Sequence, residues 1–117
     1  MAPVFAGALL FLAGCASGPP APTEQLAVST AAVEQAVSAG APELAPAELR
    51  AAREKLDRAR VAMGAKDYVQ ARMLAEQAQV DAQLAITKTR SAKAQKAAAS
   101  LEEGSRVLRE EIDRKAK

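Results

Sequence analysis

The chain has 117 residues, half of them hydrophobic, and a formal net charge of +2. This length allows one domain at most. With no His and a single Cys, the sequence excludes His-dependent catalysis, His-based metal sites and an internal disulfide framework. The near-neutral charge and the scarcity of aromatic residues argue against a nucleic-acid-binding module. We therefore expect no catalytic, cofactor or metal site and a protein that is not an enzyme.

An apolar run at residues 4–12 opens the chain and is followed directly by Leu-Ala-Gly-Cys at 12–15. The run is shorter than the roughly 20 residues that span a bilayer and is typical of a secretory signal. The four residues resemble the bacterial lipobox. This resemblance implies a signal peptide at 1–14, cleavage before Cys15, and acylation of Cys15 with lipids such as palmitate. The alternative is a buried or accidental cysteine at the end of a hydrophobic N-terminus. No Lys or Arg precedes the run, so either the true start codon lies upstream or the signal is weak.

A lipidated Cys15 implies attachment to a membrane without a transmembrane helix, because two acyl chains already anchor a protein stably. In this class of lipoproteins, an Asp directly after the cysteine retains the protein in the inner membrane. Ala16 occupies that position here. The resemblance therefore implies a location at the outer membrane, facing the periplasm.

Residues 15–22 form a Pro-rich linker. Thr23 is a suitable N-cap, and a first helix is predicted at about 24–39, followed by a loop at 41–45. A second helix is predicted at about 46–63, with Pro46 at its first position.

The third predicted helix spans about 67–115, because no proline interrupts the chain there. Asp67 is its predicted N-cap and Gln70 stands three residues later, as in a capping box. A stripe of small residues marks the first half of this helix and predicts close helix packing: Ala71, Ala75, Ala78, Ala82 and Ala85.

Together these elements predict an all-α fold at 23–117, a three-helix antiparallel arrangement with a long, extended third helix. Its second half carries Leu101, Leu108 and Ile112 past the bundle. An uncovered apolar stripe indicates a partner surface or self-association into a homo-oligomer. The alternative is a frayed, partly disordered tail.

Three stretches carry a wider resemblance: residues 12–17, 39–49 and 66–78. Through them the chain resembles the alanine-rich bacterial lipoproteins of the domain of unknown function 4398 family. The resemblance implies a helical protein of the cell envelope without an assigned catalytic residue. We expect a non-enzymatic outer-membrane lipoprotein that acts as a structural or interaction element of the periplasm, with an envelope protein or peptidoglycan as partner. The alternatives are a covalent or non-covalent tether to peptidoglycan and an activator of an envelope enzyme.

Two further features concern lysines. Lys117 resembles the terminal lysine through which the major murein lipoprotein of enteric bacteria is joined to peptidoglycan, and this analogy makes it a candidate attachment site. Four basic residues without nearby acids in the sequence predict either a solvated helix face or contact with an anionic surface: Lys88, Arg90, Lys93 and Lys96.

Overall fold

The computed structural model describes residues 18–117. Within that range the chain forms four helices and no strand: α1 (Thr23–Ala39), α2 (Ala41–Leu44), α3 (Pro46–Gly64) and α4 (Tyr68–Lys115). The predicted all-α fold with one long, extended helix is confirmed. No helix in the described part of the chain has the length and apolar character that crossing a membrane requires.

The loop predicted at 41–45 is wrong, because Ala41–Leu44 forms the single helical turn α2. Gly40 ends α1 in the left-handed region, at a φ of 102°, and thereby redirects the chain. The turn closes through a 2.9 Å hydrogen bond from the Ala45 amide to the Ala41 carbonyl. Ala45 then leaves the helical region, as a residue before a proline commonly does, so α2 and α3 stay separate.

Of the two predicted N-caps, Asp67 is confirmed and Thr23 is not. Thr23 is already the first residue of α1, and the cap position belongs to Pro22, which makes no side-chain cap bond. Thr23 as N-cap is therefore wrong. Asp67 does cap α4, because its carboxylate accepts a 3.2 Å hydrogen bond from the amide of Gln70. A side-chain oxygen in this place satisfies one of the amides that a helix start leaves unpaired.

The helices pack as a bundle in which α1 and α4 run in one direction and α3 runs in the other. Near the start of α1, the side chain of Gln25 forms a hydrogen bond with that of Gln79. At the end of α1, the Ala39 carbonyl accepts a hydrogen bond from Lys93. Along α3 the order reverses, since the beginning of that helix lies beside Lys88 and its middle beside Asp81. The N-terminal end of α1, which continues from the linker, is therefore at the end where α4 begins.

Alanine forms the seam along which α4 meets the other helices. Five alanines at heptad spacing are fully buried, and all of them were predicted: Ala71, Ala75, Ala78, Ala82 and Ala85. Larger side chains come mainly from the opposing helices, where Val33, Leu49 and Leu56 are buried in the same cluster. A methyl group at each seam position lets the α4 backbone approach its neighbours closely, which suits a core with few large residues.

A few buried or half-buried polar contacts join α4 to α1 and α3. The Ser29 hydroxyl is fully buried, 2.6 Å from the Ala75 carbonyl oxygen and 2.7 Å from that of Gln25. Lys55 forms a salt bridge with Asp81 at 2.6 Å. These bonds connect polar groups that the small core would otherwise leave without partners.

One residue of the basic cluster has an acidic partner that is distant in the sequence. Lys88 pairs with Glu48 at the beginning of α3. Lys93 donates a 2.5 Å hydrogen bond to the Ala39 carbonyl, so its positive charge lies at the C-terminal end of α1, where the helix dipole is negative. Two of the four residues thus hold the bundle together, while Arg90 and Lys96 are exposed.

The Glu48–Lys88 pair makes the bundle sensitive to acid. The hydrogen bond from Lys88 holds the pKa of the Glu48 carboxyl below its usual value. A carboxyl whose pKa is lower in the folded state stabilises the fold above its unfolded pKa, about 4.3, and this contribution is lost as the pH falls through the lowered value. We expect Glu48→Gln to lower the free energy of unfolding at pH 7 and to have little effect once the pH has fallen below the lowered pKa of Glu48.

Urea unfolding at a series of pH values measures this difference. Glu54→Gln is a matched control, because Glu54 lies on an exposed position of the same helix. A Glu48→Gln chain that loses the same stability at every pH would contradict the ionic origin of the effect.

Candidate functional site

The second half of α4 leaves the bundle as a single helix. From Arg90 to Lys115 it has 26 residues, or about 39 Å at 1.5 Å per residue. The alternative of a frayed tail does not describe this segment, because α4 remains helical to Lys115 and continues through Gly104. The prediction that three apolar side chains extend past the bundle holds: Leu101 is 74% exposed, and Leu108 and Ile112 are each 65% exposed.

Ion pairs between neighbouring turns support this free half of α4. Arg106 contacts Glu103 at 2.6 Å and Glu110 at 3.2 Å. Glu111 contacts Arg114 at 2.8 Å and Lys115 at 3.9 Å. All of these side chains are well exposed, so each pair contributes only a few tenths of a kcal/mol. The pairs occupy faces that leave the apolar side chains in the open.

Those three residues belong to a longer apolar line, which begins within the bundle. Its first five members each lie two residues after an alanine of the buried seam, and the others continue the same heptad spacing toward the C-terminus. Every member is exposed. We call this line the outer stripe: Met73, Gln77, Val80, Leu84, Thr87, Ser91, Ala94, Ala98, Leu101, Ser105, Leu108 and Ile112.

The outer stripe lies opposite the buried seam. Successive residues of an α-helix differ by about 100°, so a shift of two residues turns a side chain by about 200°. Eight of the twelve positions are apolar, four are neutral polar, and none is charged. On α4 most of the larger apolar residues therefore face outward, while the core-facing side consists mainly of alanines together with Leu74 and Ile86. This distribution differs from the usual one, in which large apolar residues face the core.

Met73, Val80 and Leu84 are the larger apolar members of the outer stripe that the sequence prediction missed. A signal was present, because these three residues continue the heptad spacing of Leu101 and Leu108 toward the N-terminus. Met73 and Val80 also line an open hollow on the outer side of α3 and α4, together with Lys55 and Gln77.

Two predicted site residues remain. Cys15 falls outside the described residues. Lys117 is exposed just beyond the end of α4. Pro22, where the linker joins α1, is buried.

Nothing in the described part of the chain indicates catalysis. Among residues 18–117 no group of three or more acidic or Cys side chains is placed to hold a metal ion. The one carboxyl with a shifted pKa, Glu48, is explained by its salt bridge with Lys88. Tyr68 is half-buried directly after the Asp67 cap, which fits a structural role at the start of α4.

Comparisons with known proteins agree on one family. Residues 24–101 match the family described as Domain of unknown function (DUF4398). The chain is also similar to a crystal structure of a DUF4398 family protein from Pseudomonas aeruginosa, with 39% sequence identity and a TM-score of 0.74. That similarity covers 80% of this chain and 96% of the other. No curated protein matches the chain. The family match over more than half of the sequence, together with the solved relative, means that the chain belongs to the DUF4398 family.

Proposed function

We propose that this protein is a lipoprotein of the bacterial outer membrane, anchored through Cys15, that acts without catalysis as an interaction element of the periplasmic envelope. The anchor comes from the N-terminal sequence, and the interaction surface is the outer stripe of α4. The observation that carries the proposal is the exposure of this uncharged stripe along a helix that extends beyond its own bundle.

The position of the linker supports the anchoring part of the proposal. Seven residues lie between Cys15 and Thr23, and the eight steps from one residue to the next allow a reach of about 27 Å when extended. The linker joins α1 at the end of the bundle where α4 begins. The base of the bundle would therefore stay close to the membrane, and the free half of α4 would lie at the end farther from the anchor.

The outer stripe supports the interaction part. Side chains such as Leu101 and Leu108 gain nothing for the fold by being exposed, and their burial against another molecule would be favourable by roughly 1.5–3 kcal/mol each. A long uncharged stripe on a surface otherwise rich in charge marks a place for protein contact. Beyond Lys93, which bonds to the end of α1, the side chains of α4 are exposed or half-buried, so the sequence there is free to serve this contact.

Metabolic labelling tests the anchor. Cells expressing the natural chain, Cys15→Ser or the matched control Ser17→Ala receive a palmitate analogue and are then fractionated. We expect label and outer-membrane location for the natural chain and for Ser17→Ala, and neither for Cys15→Ser. A natural chain that stays unlabelled would overturn the proposal. Purified sacculi from the same cells test the alternative of a covalent tether, since a tether leaves a peptide containing Lys117 on peptidoglycan.

A further inference from the structure

We infer that the outer stripe of α4 pairs with the outer stripe of a second copy of this chain, with the two helices antiparallel. The inference deepens the proposed function by naming the partner, and it rests on that function in treating α4 as the interaction element. Four features of the molecule support this pairing: the heptad spacing of the stripe, its length, the charges beside it and the hollow next to it.

The spacing of the stripe is that of a two-helix seam. Its twelve members alternate in steps of three and four residues without interruption from Met73 to Ile112. Apolar residues repeating every 3.5 residues make two helices coil around each other and bury the shared line. Small residues near the middle of the stripe, Ser91, Ala94 and Ala98, allow the two helices to approach closely at the centre. Leu84 and Leu101 lie on either side of them.

The area is sufficient for a specific dimer. From Met73 to Ile112 the stripe is about 58 Å long, and a helix with its side chains is about 10 Å wide. Pairing would cover about 600 Å² on each copy, or about 1,200 Å² in total, which is at the lower end of stable protein interfaces. The free half of α4 alone would supply half of that length, so the part of the stripe within the bundle is needed.

The charges beside the stripe select the antiparallel orientation. With a twofold axis beside Ala92 and Lys93, the two stripes overlap over their full length, and Leu84 meets Leu101 of the second copy. Lys88 then flanks Glu102 of the second copy, and Asp81 flanks Arg109. Each such pair forms twice and extends a salt bridge that already exists in the bundle, Lys88 with Glu48 and Asp81 with Lys55.

One like-charged pair arises in this orientation, Glu76 beside Glu111 of the second copy. The repulsion between these two carboxylates is reduced because Glu111 already contacts Arg114 and Lys115 on its own helix. A parallel pair in register would instead place Glu76 beside Asp81 of the second copy, twice. It would bring no opposite charges together across the seam.

The hollow beside the stripe favours the same orientation. Met73, Gln77 and Val80 line it on the outer side of the bundle. In the antiparallel pair, Leu108 and Ile112 of the second copy lie level with Gln77 and Met73. The two most strongly apolar residues at the end of the free helix would therefore pack against the hollow. In a parallel pair they would meet only their own counterparts.

The antiparallel pair also has a consequence for the anchor. The two linkers would emerge at opposite ends of the paired helices, about 70 Å apart. Both lipid anchors reach one membrane only if α4 lies along its surface. The dimer would therefore form a rod on the inner face of the outer membrane, with the linkers at its two ends.

Oligomeric state in solution tests the pairing. The full chain carrying Cys15→Ser, which removes the anchor, is purified and studied by sedimentation velocity. We expect a mass near twice the 12.2 kDa of one chain.

Leu84→Glu and Leu101→Glu each introduce two charges into the symmetric seam, and we expect each to raise the dissociation constant of the dimer at least tenfold. Val107→Glu is the matched control, because Val107 is 51% exposed on a different face of α4. A monomer at about 100 µM chain, or equal effects of all three substitutions, would overturn the inference.

Cysteine crosslinking tests the orientation in the same Cys15→Ser chain. A mixture of Leu84→Cys and Leu101→Cys chains, one of them tagged, is treated with a short bis-maleimide. We expect dimers containing both chains and none from either chain alone, because Leu84 lies about 26 Å from its own counterpart in the antiparallel pair. Crosslinking of Leu84→Cys alone would show a parallel pair and overturn the orientation. Because the anchor is absent throughout, failure of the pairing and failure of the lipid anchor give separate results.

Discussion

Replacing Ala82 with leucine is expected to lower the free energy of unfolding by about 1–3 kcal/mol. Ala82 is fully buried in the middle of the seam between α4 and the other helices. An added isobutyl group has no space there and would force the α4 backbone away from its neighbours. In a protein whose core contains few large side chains, such a shift also weakens contacts at adjacent seam positions such as Ala78 and Ala85.

Urea unfolding, followed by the near-ultraviolet circular dichroism of Tyr68, measures this loss. Tyr68 is the only tyrosine of the chain and lies half-buried at the base of the bundle, so its signal reports on the bundle rather than on the free half of α4. Ala99→Leu is the matched control, because Ala99 is exposed on the same helix. We expect it to change stability by no more than about 0.5 kcal/mol. Equal effects of the two substitutions would mean that the seam is not closely packed.

The alanine seam was predictable from the sequence because its spacing is independent of residue size. Ala71, Ala75, Ala78, Ala82 and Ala85 recur at steps of three and four residues, and a helix places such positions on one face. The end of α1 at Gly40 and the cap at Asp67 were predictable for similar reasons, since each depends on the chemistry of one residue and its immediate neighbours.

The errors arose where two local signals competed. At 41–45, Gly40 and Pro46 bracket a segment that is long enough for one helical turn, and proline at the second position of that turn is tolerated. At the start of α1, the buried Pro22 takes the cap position in place of Thr23. Neither outcome can be derived from propensity alone, because each depends on packing against other elements.

The candidate site was predicted in part, and the reason is physical. Leu101, Leu108 and Ile112 were found because no other helix was available to cover them. Met73, Val80 and Leu84 were missed because large apolar residues within a bundle are expected to face the core. The partners of Lys88 and Lys93 are distant in sequence, at Glu48 and Ala39, and only the packing of the helices brings them together.

The two faces of α4 therefore have different roles: the buried seam serves folding, and the outer stripe serves association. The seam contributes close backbone packing through alanine, supplemented by the buried Leu74 and Ile86, while most of the larger apolar side chains of α4 are exposed. A helix with alanine on both faces would fold equally well but would offer little apolar area to a second molecule. This division supports the inference that the outer stripe is an interface, because the fold itself does not require it.

The larger side chains of α3 should carry most of the hydrophobic stability of the bundle, and Leu56→Ala tests this directly. Leu56 is 3% exposed and belongs to the core cluster that includes the α4 seam. The flanking side chains are mostly alanines, which are too short to fill the cavity that the substitution leaves. We therefore expect a loss of about 2–5 kcal/mol, against a total stability of about 5–15 kcal/mol for a domain of this size.

Val61→Ala on the same helix is the control, because Val61 is 74% exposed, and we expect its effect to stay within about 0.5 kcal/mol. Urea unfolding of both variants measures the difference. A Leu56→Ala chain as stable as the natural one would contradict this prediction. The main hydrophobic contribution would then come from outside the bundle, from the outer stripe in contact with a second copy.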